Sequence, residues 1–170
     1  IFLTQKILEN LPFSETFLFI GDDDLISLFL TLSYPKAKVL VVDIDKDLLR
    51  KIRELSQKFK LKIETQKIDI RKFQKLGKFT GFLANPPQNY FGIKTFVKFG
   101  VKNLGEDGGS VFLEVTDENI GNRYILLQKF FYSQNLIIQE VINGKLYYPY
   151  CSLHEEDKFI DNQLNRYFDK

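Results

Sequence analysis

Five short stretches hold the side chains in this chain that could do chemistry: Gly21-Asp22-Asp23-Asp24, Asp43-Ile44-Asp45, Asp69, Asn85-Pro86-Pro87, and Glu114 through Asp117. Nearly all of them are acidic. A carboxylate can take a proton, hold an ammonium or accept hydrogen bonds from ribose hydroxyls. Adjacent prolines remove two backbone donors and fix an extended path, leaving carbonyls and the Asn85 amide oxygen as acceptors for an amine N–H.

The three consecutive aspartates are the sharpest signal. A helix N-terminus lined with glycines welcomes an anion such as pyrophosphate. One or two carboxylates there are ordinary caps, each favoured by about 0.3–1 kcal/mol. Three in succession repel one another and would reject an anionic ligand. This argues against NAD, FAD and ATP, and more weakly against S-adenosylmethionine with its carboxylate. An adenosyl ligand with a cationic tail fits.

Each of the other stretches has two readings. Asp43 lies about 20 residues past Gly21, at the end of a strand, where a carboxylate holds ribose. Asp43 or Asp45 could instead cap the next helix. Asp69 could face an adenine amino group or cap the segment RKFQK. Asn85, Pro86 and Pro87 could position an amine or form a rigid turn, and Tyr90 and Phe91 could wall a pocket or fill the core.

These residues fall where alternating elements end. Strands are expected over 16–20 (TFLFI), 38–42 (KVLVV), 62–66, 79–84 and 110–115. The continuous apolar runs are those of parallel strands covered on both faces. Helices are expected over 4–10, closed by Pro12, and from Leu25 to Pro35, with Leu25, Leu28, Phe29 and Leu32 on one face. Others should span 46–60, the stretch after Asn85-Pro86-Pro87, and 117–132. Residues 136–148 read as a β-hairpin turning at Asn143-Gly144. The expected fold class is α/β, a Rossmann-like, methyltransferase-type sandwich with a mostly parallel sheet and a C-terminal antiparallel hairpin. Ligands of such sheets bind outside the carboxyl ends of the strands, where these side chains lie.

At 170 residues, 44% hydrophobic and 27% charged, the chain has the make-up of a folded domain. Residues 1–150 are read as the catalytic domain and 151–170 as its acidic, amphipathic tail, in which Glu155, Glu156 and Asp157 more simply cap or solvate a helix than attract polyamine. The net charge of +2 and the scattered Lys and Arg give no case for nucleic acid, and no apolar run suggests a membrane span. One cysteine, Cys151, excludes an internal disulfide framework, and with the one histidine, His154, makes no metal site. A cytoplasmic home is the default. A first residue other than Met suggests a domain within a longer protein.

Taken together, GDDDLIS, VLVVDIDKDLL and the Pro-Pro element resemble the branched-chain polyamine synthases, the N4-bis(aminopropyl)spermidine synthases distantly related to class I methyltransferases. The resemblance spans about Thr4 to Tyr148. It implies aminopropyl transfer from decarboxylated S-adenosylmethionine to the central secondary amine of spermidine or a related polyamine, releasing methylthioadenosine. Asp22, Asp23 and Asp24 would then orient amines and accept a proton, with Asp24 the preferred base because the first two suit caps better. Gly21, Asp43, Asp45 and Asp69 would serve the donor, and Asn85, Pro86, Pro87 and Tyr90 the acceptor. No metal is expected, since a sulfonium is already a good leaving group. Two departures stand out: Asn85 replaces the acidic residue the family often has, and the family's winged-helix-like N-terminal domain and longer C-terminal part are not in this sequence.

Three other readings compete. One is a class I methyltransferase acting on an amine, another a non-catalytic polyamine-binding module, and the third an interaction domain whose aspartates are merely caps. Expected partners are a small polyamine but neither nucleic acid nor membrane, and assembly as a homodimer is left open.

Overall fold

The apolar runs TFLFI and KVLVV lie side by side in the middle of a sheet. In a computed structural model of the protein, which describes residues 2–10, 16–115 and 121–142, five strands form: β1 (Thr16–Ile20), β2 (Lys38–Asp43), β3 (Ile63–Lys67), β4 (Gly81–Ala84) and β5 (Ser110–Leu113). They pair in the order β3-β2-β1-β4-β5, each pair parallel. The chain steps outward from β1 to β2 and β3, then returns to the other side of β1 for β4 and β5. Strand order therefore reverses between β1 and β4, which opens a crevice at their carboxyl ends.

Five helices accompany the sheet: α1 (Phe2–Asn10), α2 (Ile26–Ser33), α3 (Lys46–Lys58), α4 (Tyr90–Lys102) and α5 (Tyr124–Ser133), the last preceded by a 3-10 turn at Gly121–Arg123. On one face of the sheet Leu18, Ile20, Val42, Phe82 and Ala84 form a cluster with Ile68, Ile70, Phe79 and Phe99 of α4. Another side of α4 places Ile93 and Val97 against Leu127 and Phe130 of α5. α2 and α3 pack against β2 and β3, and α1 packs on α2. Phe17, Phe19, Phe82 and Phe99 are fully buried, each such side chain contributing on the order of 1.5–3 kcal/mol of transfer free energy.

Several boundaries shift by one or two residues from the sequence reading, and three shifts have a visible local geometry. Leu25 is buried but sits before α2 in the left-handed region, at φ 56°. Phe79 stands outside β4 and makes an isolated bridge to Leu104. Glu114 lies past β5, although its N–H still donates to the Ala84 carbonyl at 3.1 Å. The helix expected from Asp117 is described only from Gly121. Residues 136–142, the expected first arm of the hairpin, form no strand; its turn and second arm, and the tail from residue 151, lie outside the described residues. Residues 1–137 make one compact unit, to which the sheet, its helices and the crevice belong. Among the described residues no helix is long and apolar enough to cross a membrane.

Candidate active site

Gly21 is where the ends of three strands converge. Its N–H donates to the Val42 carbonyl at 3.0 Å, and its φ of +75° lies in the region that favours glycine. A Cβ there would stand 3.0 Å from the Asn85 carbonyl oxygen and 3.8 Å from Asp43 Oδ2. Glycine thus lets the turns after β1 and β4 approach closely, with the Asp43 carboxylate beside them.

The three aspartates after Gly21 separate into three environments. Asp22 is buried, and its carboxylate accepts from the Ser27 backbone N–H at 3.3 and 3.4 Å. The turn at Leu25, whose N–H donates to the Asp22 carbonyl at 3.1 Å, accompanies this reach back to the start of α2. Burial pushes the Asp22 carboxyl well above the usual carboxylate range, against the pull of hydrogen bonds from Ser27 and Ile26, and the nearby Asp24 charge adds to the rise. Asp22 is a cap inside the fold. Asp23 is exposed and accepts from Asn85 Nδ2 at 2.5 Å, across the crevice between the β1 and β4 turns. Asp24 is half-buried.

On the β2 side, the two aspartates of the Asp-Ile-Asp motif make different contacts. Asp45 caps α3, accepting from the N–H groups of Asp47 at 2.8 Å and Leu48 at 3.3 Å. Asp43 is half-buried at the end of β2, takes the Asp45 N–H on Oδ1 at 2.8 Å, and has Oδ2 near Gly21. Asp69 caps the 3-10 turn Ile70–Lys72. It also holds the Arg71 guanidinium through two bonds of 2.7 Å. That side-chain pairing, reinforced by the Arg71 N–H and charge, lowers its carboxyl to about 2. Asp69 is therefore engaged with its own turn, as the capping reading expects.

The loop after β4 is held by more than its prolines. The Asn85 N–H donates to the Ile20 carbonyl at 3.1 Å. Its side-chain nitrogen is given to Asp23, so the amide presents its oxygen as an acceptor. The Pro86 carbonyl receives Gln88 Nε2 at 3.0 Å, and the Pro87 carbonyl the Asn89 N–H at 2.7 Å. Both carbonyls expected to serve an amine thus already receive donors of the chain. Asn89 caps α4 by accepting from the Gly92 N–H at 2.9 Å. A Cβ on Gly92 would stand 2.7 Å from the Pro87 carbonyl, so glycine permits this close approach. Tyr90 is half-buried against the α4–α5 cluster, with its ring 5.6 Å from that of Phe91 and the Lys94 ammonium 5.0 Å from its centroid. Phe91 is exposed.

Gln88 escaped the sequence reading. Its Nε2 also donates to the carbonyl of the buried Glu114 at 3.3 Å, which ties the Pro-Pro loop to the end of β5. A side-chain bond to a carbonyl in a distant segment leaves no local pattern. Among the described residues no three His, Cys, Asp or Glu side chains form a group that could hold a metal ion.

The sequence model of a family described as "Branched-chain polyamine synthase A C-terminal domain" matches residues 12–166. An uncharacterized protein of Methanocaldococcus jannaschii is 34% identical over 146 residues, covering 84% of this chain and 37% of its own length. An N(4)-bis(aminopropyl)spermidine synthase of the same organism is 31% identical over 152 residues, covering 86% of this chain and 43% of its own length. The chain spans about two fifths of the length of these curated relatives. In fold it is similar to the branched-chain polyamine synthase of Thermus thermophilus, solved with N4-aminopropylspermidine and 5'-methylthioadenosine, at a TM-score of 0.65 and 23% identity over 77% of this chain and 39% of that one. It is likewise similar to a ribosomal protein L11 methylase of Lactobacillus delbrueckii subsp. bulgaricus, with TM-score 0.66 and 16% identity over 84% of this chain and 71% of that one. The two likenesses show a fold shared with methyltransferases, and the family match covers nearly the whole chain: it belongs to the branched-chain polyamine synthase A C-terminal domain family.

Proposed function

We propose that this domain transfers aminopropyl groups from decarboxylated S-adenosylmethionine to the secondary amine of spermidine or a related polyamine. The observation that carries this reading is the Asp23 carboxylate bonded to Asn85 across the crevice between β1 and β4, with Asp43 beside Gly21 and Asp24 next in the same turn. Donor and acceptor of this reaction are both cations, as such a crevice favours. The N(4)-bis(aminopropyl)spermidine synthase of Methanocaldococcus jannaschii supports the chemistry, as does the Thermus enzyme with its bound N4-aminopropylspermidine and 5'-methylthioadenosine.

The acceptor nitrogen must be neutral to attack. Its lone pair forms a bond to the propyl carbon attached to sulfur. The carbon–sulfur bond breaks, its electron pair goes to sulfur, and methylthioadenosine leaves as a neutral thioether. The new ammonium passes its proton to Asp24, the half-buried carboxylate we assign as base. Asp23, fixed by Asn85, holds a remote ammonium, while the Asn85 oxygen accepts an acceptor N–H. Asp43 binds the ribose hydroxyls next to Gly21. Asp22, Asp45 and Asp69 act through the turns they cap, and Tyr90 borders the acceptor side from the start of α4.

The test is to incubate the purified protein with the decarboxylated donor and a panel of amines, reading product masses and methylthioadenosine release. Branched products from a secondary amine are expected. Tighter calorimetric binding of S-adenosylmethionine than of its decarboxylated form would point to methyl transfer instead. Saturable amine binding with no thioether released would leave only a binding module.

A further inference from the structure

We infer that Gln88 is a positioning residue for the acceptor amine, an inference that rests on the aminopropyl-transfer reading. The Pro-Pro loop lacks two backbone donors, so other groups must hold it. Toward β1 it is held by the Asn85 N–H on the Ile20 carbonyl and by Asn85 Nδ2 on Asp23. Toward β5 it is held by the Gln88 amide nitrogen. That nitrogen donates to the Pro86 carbonyl within the loop at 3.0 Å and to the Glu114 carbonyl past β5 at 3.3 Å.

Two consequences follow for the chemistry. The Gln88 bond holds the Pro86 carbonyl in place, one residue from the Asn85 oxygen assigned to the acceptor N–H. It also fixes the loop from the side opposite Asp23, so Asn85 is held from both flanks. The donor contacts assigned to Gly21 and Asp43 belong to the turns after β1 and β2, away from this tie. Loosening Gln88 should therefore disturb the acceptor and spare the donor.

Gln88→Met keeps the side chain's length and removes its donors. Gln88→Glu adds a carboxylate facing two carbonyl oxygens, so its effect should be the larger. Both variants are expected to lose about 10- to 100-fold in kcat and to raise the KM for the amine acceptor. The KM for the decarboxylated donor and the affinity for methylthioadenosine, read by calorimetry, should match the wild type and report an intact fold. Wild-type values of kcat and acceptor KM in both variants would overturn the inference. So would parallel loss of donor and acceptor constants together with methylthioadenosine binding, since that marks a purely structural role. A wild-type protein that forms no aminopropyl product would instead sink the functional reading itself, and this inference with it.

Discussion

The carboxylates behind β1 and those behind β2 and β3 are one residue type in similar places, yet the fold puts them in opposite conditions. Asp22 is sealed inside, and loss of water drives its carboxyl upward. Asp69 stands against the Arg71 guanidinium, which drives its carboxyl down to about 2. Both cap a helical turn. Asp23 is exposed and bonded to Asn85, Asp43 is half-buried and takes the Asp45 N–H, and Asp24 is half-buried. An acidic residue after a strand is therefore not yet a ligand-binding residue. What the carboxylate already touches decides whether it can serve a substrate.

The largest test of this contrast is Asp24→Asn set beside Asp45→Asn. The first should lower methylthioadenosine release by about 10²-fold or more with little change in melting temperature. The second should largely preserve turnover, because asparagine caps a helix about as well as aspartate. Equal losses would erase the distinction between catalytic and capping carboxylates.

Asp22 comes next. Asp22→Ala removes the cap and should cost about 1 kcal/mol in denaturant unfolding. Asp22→Asn retains capping and removes the buried acid. With a folded value above the usual 3.8, Asp22 favours the native state most below that pH and loses this contribution as pH rises toward its folded value. The stability of Asp22→Asn relative to wild type should therefore improve from about pH 4 upward. A difference independent of pH would mean that burial does not govern this group.

The smallest effect belongs to Asp69. Its carboxyl is lowered from 3.8 to about 2, so its stabilisation is present above the unfolded value and is lost as pH falls through that interval. Asp69→Asn should lower the unfolding midpoint slightly at neutral pH, where the exposed pairing is present, and converge on wild type as pH falls through this acid window to about 2. An unchanged acid profile would remove the Arg71 pairing from the comparison.

Much of the frame was legible because parallel strands covered on both faces read as unbroken apolar runs. TFLFI coincides with β1, and KVLVV differs from β2 by one residue. Leu25 misled for a definite reason: it has the burial of a helix-face residue but a left-handed backbone, which apolar spacing does not reveal. At the candidate site, the placement of the acidic residues past the strand ends was legible because the apolar runs mark those ends. The roles were not, because capping and binding use the same oxygens. Asp45 and Asp69 were assigned to the donor with capping as the other reading, and the N–H groups they accept become apparent only in three dimensions. Gln88 had no signal, since Glu114 lies 26 residues further along the chain.

At Gly21, open space would be filled by a single methyl group, because the Asn85 carbonyl is only 3.0 Å from where that carbon would go. The turns after β1 and β4 thus share a wall one atom thick. Any larger residue at position 21 would have to displace the Asn85 backbone, so the narrowness of this crevice is written into one missing side chain.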